Sequence, residues 1–344
     1  MKNKIIIFLL LLLSVLLMCS CGSKEQNASN ANSNHFSDQT DHKKEGNTLK
    51  KIEGKDMFKI EDGILIKYLG NYKNEAEVVL PKEVKKIGKH AFAISKKEKK
   101  KEKKTLHLTI GQNVKLEECS FEKCGPMKIE FEEGREKIEK RSFMWGPYSD
   151  SEVEVIIPKS VKVIEERAFY NDIGYSGVIH VKMEEGIERI EDEAFEGIKT
   201  DKIPDSVRYI GKNAFGAMEN VENILPSNLE TLQECSFQCY GGKVVIPASV
   251  KYIAINAIEW LDCYNDIHGY NVTKDNPYYK SDENGWLYSK DGKTLYFAYR
   301  VNTGSLVIPK GVKYVYKEGI DLGNEDAPEG EEAKILADKD VEFR

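Results

Sequence analysis

One short phrase recurs along this 344-residue chain and restricts its fold more than any other feature. The version at residues 155–169 reads VIIPKSVKVIEERAF, and related versions occupy residues 78–315. Intervals of 20 to 29 residues separate successive copies, which predicts a solenoid in which each repeat forms one coil. Ile258 occupies the eighth anchor position. The seven earlier anchors are phenylalanines: Phe92, Phe121, Phe143, Phe169, Phe195, Phe215 and Phe237.

The phrase joins a strand pattern to a strand terminator. Val155 and Ile157 are two residues apart, so both point to one face of a short strand while Ile156 points to the other. The proline that follows ends the strand because it has no N–H to donate to a ladder. One coil cannot bury its own apolar edge, so its stability has to come from stacked neighbours. A bent second segment is predicted by the next apolar residues, Val161, Ile164 and Phe169.

The wording of the copies carries a family resemblance. I-P-x-x-V-x-x-I-G-x-x-A-F, with a cysteine just after the anchor in copies such as Phe121 and Cys124, resembles the BspA-type leucine-rich repeat of bacterial surface proteins. Eight consecutive copies agree in order, and the resemblance covers residues 58–320. It implies a leucine-rich-repeat-like, right-handed coil with short strands, helical turns, and hairpins as caps or insertions. Three copies depart from the pattern by replacing proline with Gly111, Glu132 and Glu184.

Two stretches outside the repeats predict β-hairpins. Residues 58–68 alternate around Asp62-Gly63, a dipeptide that supplies the positive φ values of a tight turn. Residues 286–297 show the same arrangement around Asp291-Gly292. We therefore predict a solenoid over 56–320, an insertion at about 260–303, and an acidic tail or cap at 321–344.

The N-terminus predicts export. Two lysines precede the apolar run 5–18, which is typical of a secretory signal peptide over residues 1–20 and is short for a membrane-spanning helix. The following Met18-Cys19-Ser20-Cys21 resembles a lipobox, in which a small residue precedes the cysteine that receives the lipid. Cys21 is the predicted lipidation site, since methionine precedes Cys19. The alternative is an ordinary cleaved signal peptide with incidental cysteines.

A polar stretch separates the signal from the repeats. Residues 21–55 hold scarcely an apolar side chain, so they cannot bury enough surface to offset chain entropy and are predicted to be a disordered tether. The net charge of −6, together with export, argues against a nucleic-acid partner. The lysine-rich run 96–104 predicts a solvated loop, with contact to an anionic polymer or headgroup as the alternative.

The residue types that carry chemistry form no recognisable catalytic or metal motif. No Cys/His grouping has zinc spacing, and no G-x-S-x-G, H-E-x-x-H or phosphate loop occurs. We expect no metal, no cofactor and no enzymatic activity, with hydrolase as the least favoured class. The cysteines beyond the signal are odd in number, and small buried thiols are preferred over local disulfides: Cys119, Cys124, Cys235, Cys239 and Cys263.

What remains is a displayed surface with two outward rows along the solenoid. One row lies on the first strand of each coil, and the other lies immediately before the second apolar anchor. Apolar residues in an exposed row indicate a contact patch, and tyrosines are amphipathic anchors. The alternative is that flanking loops cover these residues. The candidate binding residues are Tyr209, Tyr252, Tyr314, Ile156 and Ile224.

The resemblance implies a lipid-anchored protein of the cell membrane or cell surface. Its expected partner is a macromolecular ligand, protein or glycan, contacted in adhesion or in host or cell–cell interaction. A structural envelope protein that binds cell-wall polymer or a partner lipoprotein is the alternative function. The residues leave the ligand and the oligomeric state open.

Overall fold

A computed structural model shows a β-solenoid of about nine coils, which confirms the predicted fold class. All the described residues belong to one unit, Thr48–Arg344. The predicted signal peptide, most of the tether, and Cys21 lie outside the described residues. The described ranges are 49–95, 103–171, 177–200, 202–218, 225–239, 242–260, 268–299, 305–322 and 333–344.

Short strands alternate with turns along the described chain. The strands of the first half are β1 (Lys50–Ile52), β2 (Phe58–Glu61), β3 (Ile64–Tyr68), β4 (Ala76–Val78), β5 (Lys86–Ile87), β6 (Leu106–Ile110), β7 (Lys115–Leu116), β8 (Met127–Phe131), β9 (Lys137–Ile138), β10 (Glu152–Ile157), β11 (Val163–Ile164), β12 (Val178–Met183), β13 (Arg189–Ile190), β14 (Lys199–Thr200) and β15 (Tyr209–Ile210). The strands of the second half are β16 (Ala217–Met218), β17 (Thr231–Leu232), β18 (Phe237–Cys239), β19 (Gly242–Ile246), β20 (Tyr252–Ile253), β21 (Ile258–Trp260), β22 (His268–Val272), β23 (Tyr279–Ser281), β24 (Leu287–Ser289), β25 (Thr294–Tyr299), β26 (Leu306–Val307), β27 (Tyr314–Val315), β28 (Ile320–Asp321), β29 (Ile335–Leu336) and β30 (Glu342–Phe343).

Helical structure is a minor part of the described residues. It is limited there to two three-residue 3-10 segments, Lys55–Met57 and Lys317–Gly319. In the described coils, hydrogen-bonded turns connect the strands at the positions where the resemblance implied helical turns. The turn after the first strand needs only a carbonyl acceptor, as in Val161, whose amide donates to Pro158 at 3.1 Å. Gly111 accepts the amide of Val114 at 3.0 Å in the same way, so this copy keeps its turn without proline.

The first strands of successive coils form one parallel sheet in the order β1-β4-β6-β8-β10-β12-β14. Burial alternates along each longer strand, as the period of two requires. In β10, Val153, Val155 and Ile157 are buried, whereas the residues between them are partly exposed. The sheet therefore turns every second side chain into the core and the others outward.

The second segments form another parallel sheet, in the order β9-β11-β13-β15-β17-β20. Each strand has only two residues, of which the second is buried and the first faces outward. Tyr209 and Tyr252 of the predicted second row occupy such first positions. The buried members are Ile138, Ile164, Ile190, Ile210, Leu232 and Ile253.

A column of stacked phenyl rings runs through the core. All seven anchor phenylalanines are at most 1% exposed, and neighbouring rings lie nearly parallel, with interplanar angles of 3 to 19°. Their centroids are 4.6 to 5.5 Å apart, close to the spacing of adjacent strands. Tyr68 continues the column at one end, 5.6 Å from Phe92, and Ile258 pairs with Phe237 at the other. The predicted anchors are thus confirmed as core.

The corner before each phenylalanine has a backbone conformation that the residue types did not reveal. The residue two positions earlier has a positive φ in every one of the seven coils: His90, Cys119, Arg141, Arg167, Glu193, Asn213 and Cys235. This left-handed conformation costs an L-residue about 1–2 kcal/mol. The amides of these residues donate to carbonyls of the next coil, for example Cys119 to Arg141 at 2.8 Å, and stacking thereby offsets the strain.

Both predicted hairpins are present. β2 pairs antiparallel with β3, and Asp62 and Gly63 between them have φ values of 49° and 76°. β24 pairs antiparallel with β25 around Asp291-Gly292. The hydroxyl of Tyr279 accepts the amide of Ile253 at 3.2 Å and thus occupies the edge of the sheet that ends at β20.

The structure moves two of the predicted segment boundaries. β1 pairs parallel with β4, so ordered structure begins inside the stretch 21–55 that was predicted to be a disordered tether. At the other end, β29 pairs with β26 and β30 pairs with β27. The strands of 321–344 therefore extend the coil stacking, which favours a cap over a frayed tail. The segment 260–303 is also less separate than an insertion, because β22 pairs with β19 and β25 pairs with β27.

One core position departs from the apolar pattern. Arg135 stands where other copies have valine, isoleucine or leucine, and its side chain is 3% exposed. Its guanidinium donates to the Val114 carbonyl at 2.9 Å and to Glu139 at 3.0 Å, and it lies 4.8 Å from the ring centre of Phe131. Burial lowers the pKa of Arg135 and raises the pKa of Glu139. This pair costs desolvation energy that an apolar residue would not, so it is weak support for stability.

We expect Phe169→Ala to destabilise the fold by about 3–5 kcal/mol, the usual range for emptying a buried aromatic site. Phe169 is fully buried between Phe143 and Phe195, so both neighbouring coils lose a stacking partner. Urea unfolding followed by circular dichroism measures the change. Val178→Ala, on a side chain that is 46% exposed, is the matched control. Equal midpoints for the two variants would contradict the role of the column.

Candidate functional site

Tyr209 and Tyr252 lie in the same row of side chains across the strands of the second sheet. Consecutive strands pair Val163 with Arg189, Arg189 with Tyr209, Tyr209 with Thr231, and Thr231 with Tyr252. The two tyrosines are two strands apart, or about 10 Å at the usual strand spacing. Tyr252 is 49% exposed, and Tyr209 is half-buried. These two predicted residues therefore lie in one outward row.

Arginine side chains cover the rings of two of the three candidate tyrosines, Tyr209 and Tyr314. The guanidinium of Arg189 lies 3.9 Å from the ring centre of Tyr209, and that of Arg344 lies 3.7 Å from the ring centre of Tyr314. Burial raises the pKa of Tyr209. A cation over a ring face is attracted by the ring quadrupole. Both rings are consequently held in place, and each presents a mixed aromatic and cationic surface.

The five predicted residues do not form one patch. Tyr314 belongs to a different sheet, where it pairs with Thr294 and Glu342. Ile156 is half-buried on the first sheet, between Glu130 and Lys182. Ile224 lies outside the described residues. The structure thus brings Tyr209 and Tyr252 together and places the other described members on separate surfaces.

The charges beside the tyrosine row are paired from coil to coil. Glu188 is 3.4 Å from Lys162, and Glu230 binds both Arg208 at 2.6 Å and Lys251 at 2.8 Å. Exposed pairs of this kind contribute little to stability. They neutralise the flank of the row, which leaves the tyrosines as its distinctive groups.

A shallow groove of about 440 Å³ lies over Leu116, which belongs to β7 in the separate sheet β2-β3-β5-β7. Its carboxylates are already engaged: Glu117 binds Lys86 at 3.2 Å, and Glu165 binds Lys137 at 2.6 Å. No group of three or more His, Cys, Asp and Glu side chains suited to a metal occurs among the described residues. The expectations of no metal, no cofactor and no catalysis remain predictions.

The described cysteines are free thiols, and none is set up as a nucleophile. Cys119 and Cys124 are buried, and Cys235 is half-buried. Burial raises the pKa of all three thiols, which lowers the thiolate fraction. The side chain of Cys239 and all of Cys263 lie outside the described residues. Of the lysine-rich run, Lys103 is described, and its ammonium group lies 2.8 Å from Asp150.

A side face of the solenoid carries two residues that the predicted rows missed. Trp145 is 41% exposed two residues after its anchor phenylalanine. Glu196 directly follows the anchor Phe195. Burial raises the pKa of Glu196 to about 7, and the nearby carboxylates of Glu193 and Glu259 reinforce this shift. Neither residue belongs to the repeated phrase. A large aromatic residue just beyond an anchor was the available signal for Trp145.

The fold and its outward rows define a leucine-rich-repeat type of solenoid that presents an extended surface. The family model for the BspA type Leucine rich repeat region (6 copies) matches residues 67–172, 101–201 and 174–268. The chain therefore belongs to the BspA-type leucine-rich repeat family. Repeats of this family suggest surface protein-binding or adhesion-like function, typically without catalysis.

Two solved structures of bacterial proteins match the chain. A leucine-rich repeat protein from Eubacterium ventriosum is 19% identical and has a TM-score of 0.34; the alignment covers 63% of this chain and 49% of that chain. The pneumococcal vaccine antigen PcpA is 17% identical and has a TM-score of 0.35; the alignment covers 86% of this chain and 72% of that one. The chain thus spans about half the length of the Eubacterium protein. No curated protein matches the sequence. Within the described residues, no helix is long and apolar enough to cross a membrane.

We expect the stability to depend on pH through Glu196. Because the pKa of Glu196 is raised from 4.5 to about 7, folding favours its protonated form. This contribution is fully present below about pH 4.5 and is lost as the pH rises through 7. Glu196→Gln should therefore raise the melting temperature more at pH 8 than at pH 5. Scanning calorimetry measures the melting temperature at both pH values, and Glu184→Gln, at an exposed side chain, is the control. Equal changes in melting temperature at pH 5 and pH 8 for Glu196→Gln would contradict this prediction.

Proposed function

We propose that the protein is a lipid-anchored surface protein that displays its solenoid for binding to a protein or glycan. Family membership supports the binding role. The observation that carries the proposal is the outward row that contains Tyr209 and Tyr252, on a face whose flanking charges form ion pairs with one another. Tyrosine and arginine are enriched among the residues that dominate binding energy. An extended surface built from successive coils suits a macromolecule better than a small substrate.

The proposed anchor is a lipid on Cys21. Burial of acyl chains contributes about 0.8 kcal/mol per CH₂, and the hydrophobic run ahead of Cys21 supplies the export signal.

Cys21→Ala should move the protein from the membrane fraction to the soluble fraction, because the mutant lacks the thiol that takes up the lipid. Fractionation of expressing cells, followed by immunoblotting, measures the distribution. Cys19→Ala is the matched control and should leave the protein on the membrane. Membrane retention of the Cys21 variant, or release of the Cys19 variant, would contradict the assignment of the anchor.

Tyr252→Ser should weaken ligand binding about tenfold or more, the effect expected of a residue that dominates an interface. It should change stability by about 0.5 kcal/mol or less, since the side chain is exposed. Binding to a panel of extracellular-matrix proteins and to peptidoglycan is compared by surface plasmon resonance. Tyr278→Ser, at a 48% exposed tyrosine outside the row, is the control.

The panel also separates the two functions under consideration. Binding to a matrix protein that depends on Tyr252 supports the adhesion-like role. Binding to peptidoglycan alone would favour the structural envelope role instead. Unchanged binding by a folded Tyr252 variant would remove this row from the contact surface.

A further inference from the structure

Trp145 has a backbone conformation that its residue type disfavours. Its φ is 67°, in the left-handed region where a bulky residue is an outlier. Strain of this kind persists only where the surrounding structure imposes it, and it concentrates at functional sites. The backbone N–H of Trp145 donates to the Tyr170 carbonyl of the next coil at 3.0 Å, which holds the strained residue in place.

Comparison between coils shows that the fold does not need tryptophan here. The equivalent position, two residues after the anchor, also has a positive φ in two other coils, at Lys123 and Gly197. Glycine adopts this conformation without the steric cost. The corner therefore folds with no side chain at all, yet in this coil it carries a large indole that is 41% exposed. Neither burial nor backbone preference accounts for that indole.

The indole is backed by a rigid support. Its ring lies 5.7 Å from that of Tyr170 in an edge-to-face arrangement. The guanidinium of Arg167 lies 5.7 Å from the ring centre of Tyr170 on the same corner. Glu193 fixes Arg167 through two hydrogen bonds, of 2.8 and 2.7 Å. Trp145 is thus held before any partner arrives, which reduces the entropy lost on binding.

A guanidinium whose ion pairs are long lies at the corner on the other side of the same anchor, Phe143. Arg141 is four residues before Trp145, and its carbonyl accepts the amide of Met144 at 3.2 Å. Its closest carboxylates, on Glu118 and Glu166, are 3.6 and 3.7 Å away, which is too long for hydrogen bonds. Its Nε is buried without a hydrogen-bond partner among the described residues. A guanidinium whose ion pairs are this long can donate hydrogen bonds to a further carboxylate.

We propose that Trp145 and Arg141 form a contact site for a protein segment that presents an apolar side chain beside a carboxylate. Trp, Tyr and Arg are the residue types most enriched at the centres of protein interfaces. A periodic glycan would be matched by an aromatic group repeated from coil to coil. Tryptophan occurs at this corner in one of the seven phenylalanine-anchored coils, which favours a non-repeating ligand. The proposal rests on the proposed binding role, and on neither the lipid anchor nor the tyrosine row.

The test uses the full chain with ¹⁵N-labelled tryptophan, in which the indole N–H of Trp145 is assigned with Trp145→Phe. The probe is the capped peptide Gly-Ser-Glu-Phe-Asp-Ser-Gly. One control peptide replaces Phe with Ala, and a second replaces both acidic residues with their amides. A chondroitin sulfate oligosaccharide is the glycan probe. The acidic Phe peptide should shift the Trp145 signal, and the other probes should shift it at least tenfold less at equal concentration.

Two variants separate a binding role from a structural one. Trp145→Gly should weaken peptide binding at least tenfold while leaving the melting temperature equal or higher, because glycine relieves the strain. Arg141→Gln should weaken binding of the acidic peptide and abolish its advantage over the amide peptide. Tyr278→Ser, at an exposed tyrosine outside both proposed surfaces, is the control and should bind the peptide as the parent does.

Several outcomes would overturn the proposal. A lower melting temperature for Trp145→Gly would show that the indole serves the fold. A Trp145 signal shifted by the oligosaccharide and not by the peptides would assign the site to a glycan. Absence of any shift with all probes would remove the site. None of these results bears on Cys21 or on Tyr252, so the proposed anchor and tyrosine row are tested separately.

Discussion

The structure depends on the contact between one coil and the next. Within a coil, the strands have as few as two residues, too short to form stable structure alone. Stacking provides parallel backbone ladders on two faces and a continuous file of phenyl rings between them. Each coil buries its apolar edge only against its neighbours, so stability is a property of the array. The same contact offsets the strain of the left-handed corners, since their amides bond to the following coil.

The sequence predicted those features that a side chain must fill. Spacing and residue type predicted the anchor phenylalanines, the buried aliphatic residues of the second segments and the Asp-Gly hairpins. Side-chain size and φ preference leave few choices at these positions. The left-handed corners could not be predicted in this way. His90, Cys119 and Arg167 share no side-chain property, and the requirement comes from hydrogen bonds between coils. Arg135 escaped prediction for a related reason, since its acceptors lie on another coil and on Glu139.

The candidate surface was predicted in part. Spacing placed Tyr209 and Tyr252 in the same outward row, because the period of the second segment is fixed by its buried aliphatics. It could not show that arginines cover Tyr209 and Tyr314, since Arg189 and Arg344 reach those rings from neighbouring coils. Nor could it show that Tyr314 belongs to a separate sheet. Side-chain reach across coils depends on rotamers, which a linear pattern does not specify.

Specificity on a repetitive surface requires features that occur once. The charged rows repeat from coil to coil and largely neutralise one another, so a partner that read only these charges could bind in several registers. Tyr252 and Trp145 break that periodicity, each on a different face of the coil. The two residues are also independent of the core. Tyr252 precedes a buried isoleucine whose position is set by stacking, and Trp145 occupies a corner that glycine can fill elsewhere. If these residues contact a partner as proposed, substitution at either position would change binding without disturbing the column that holds the coils together.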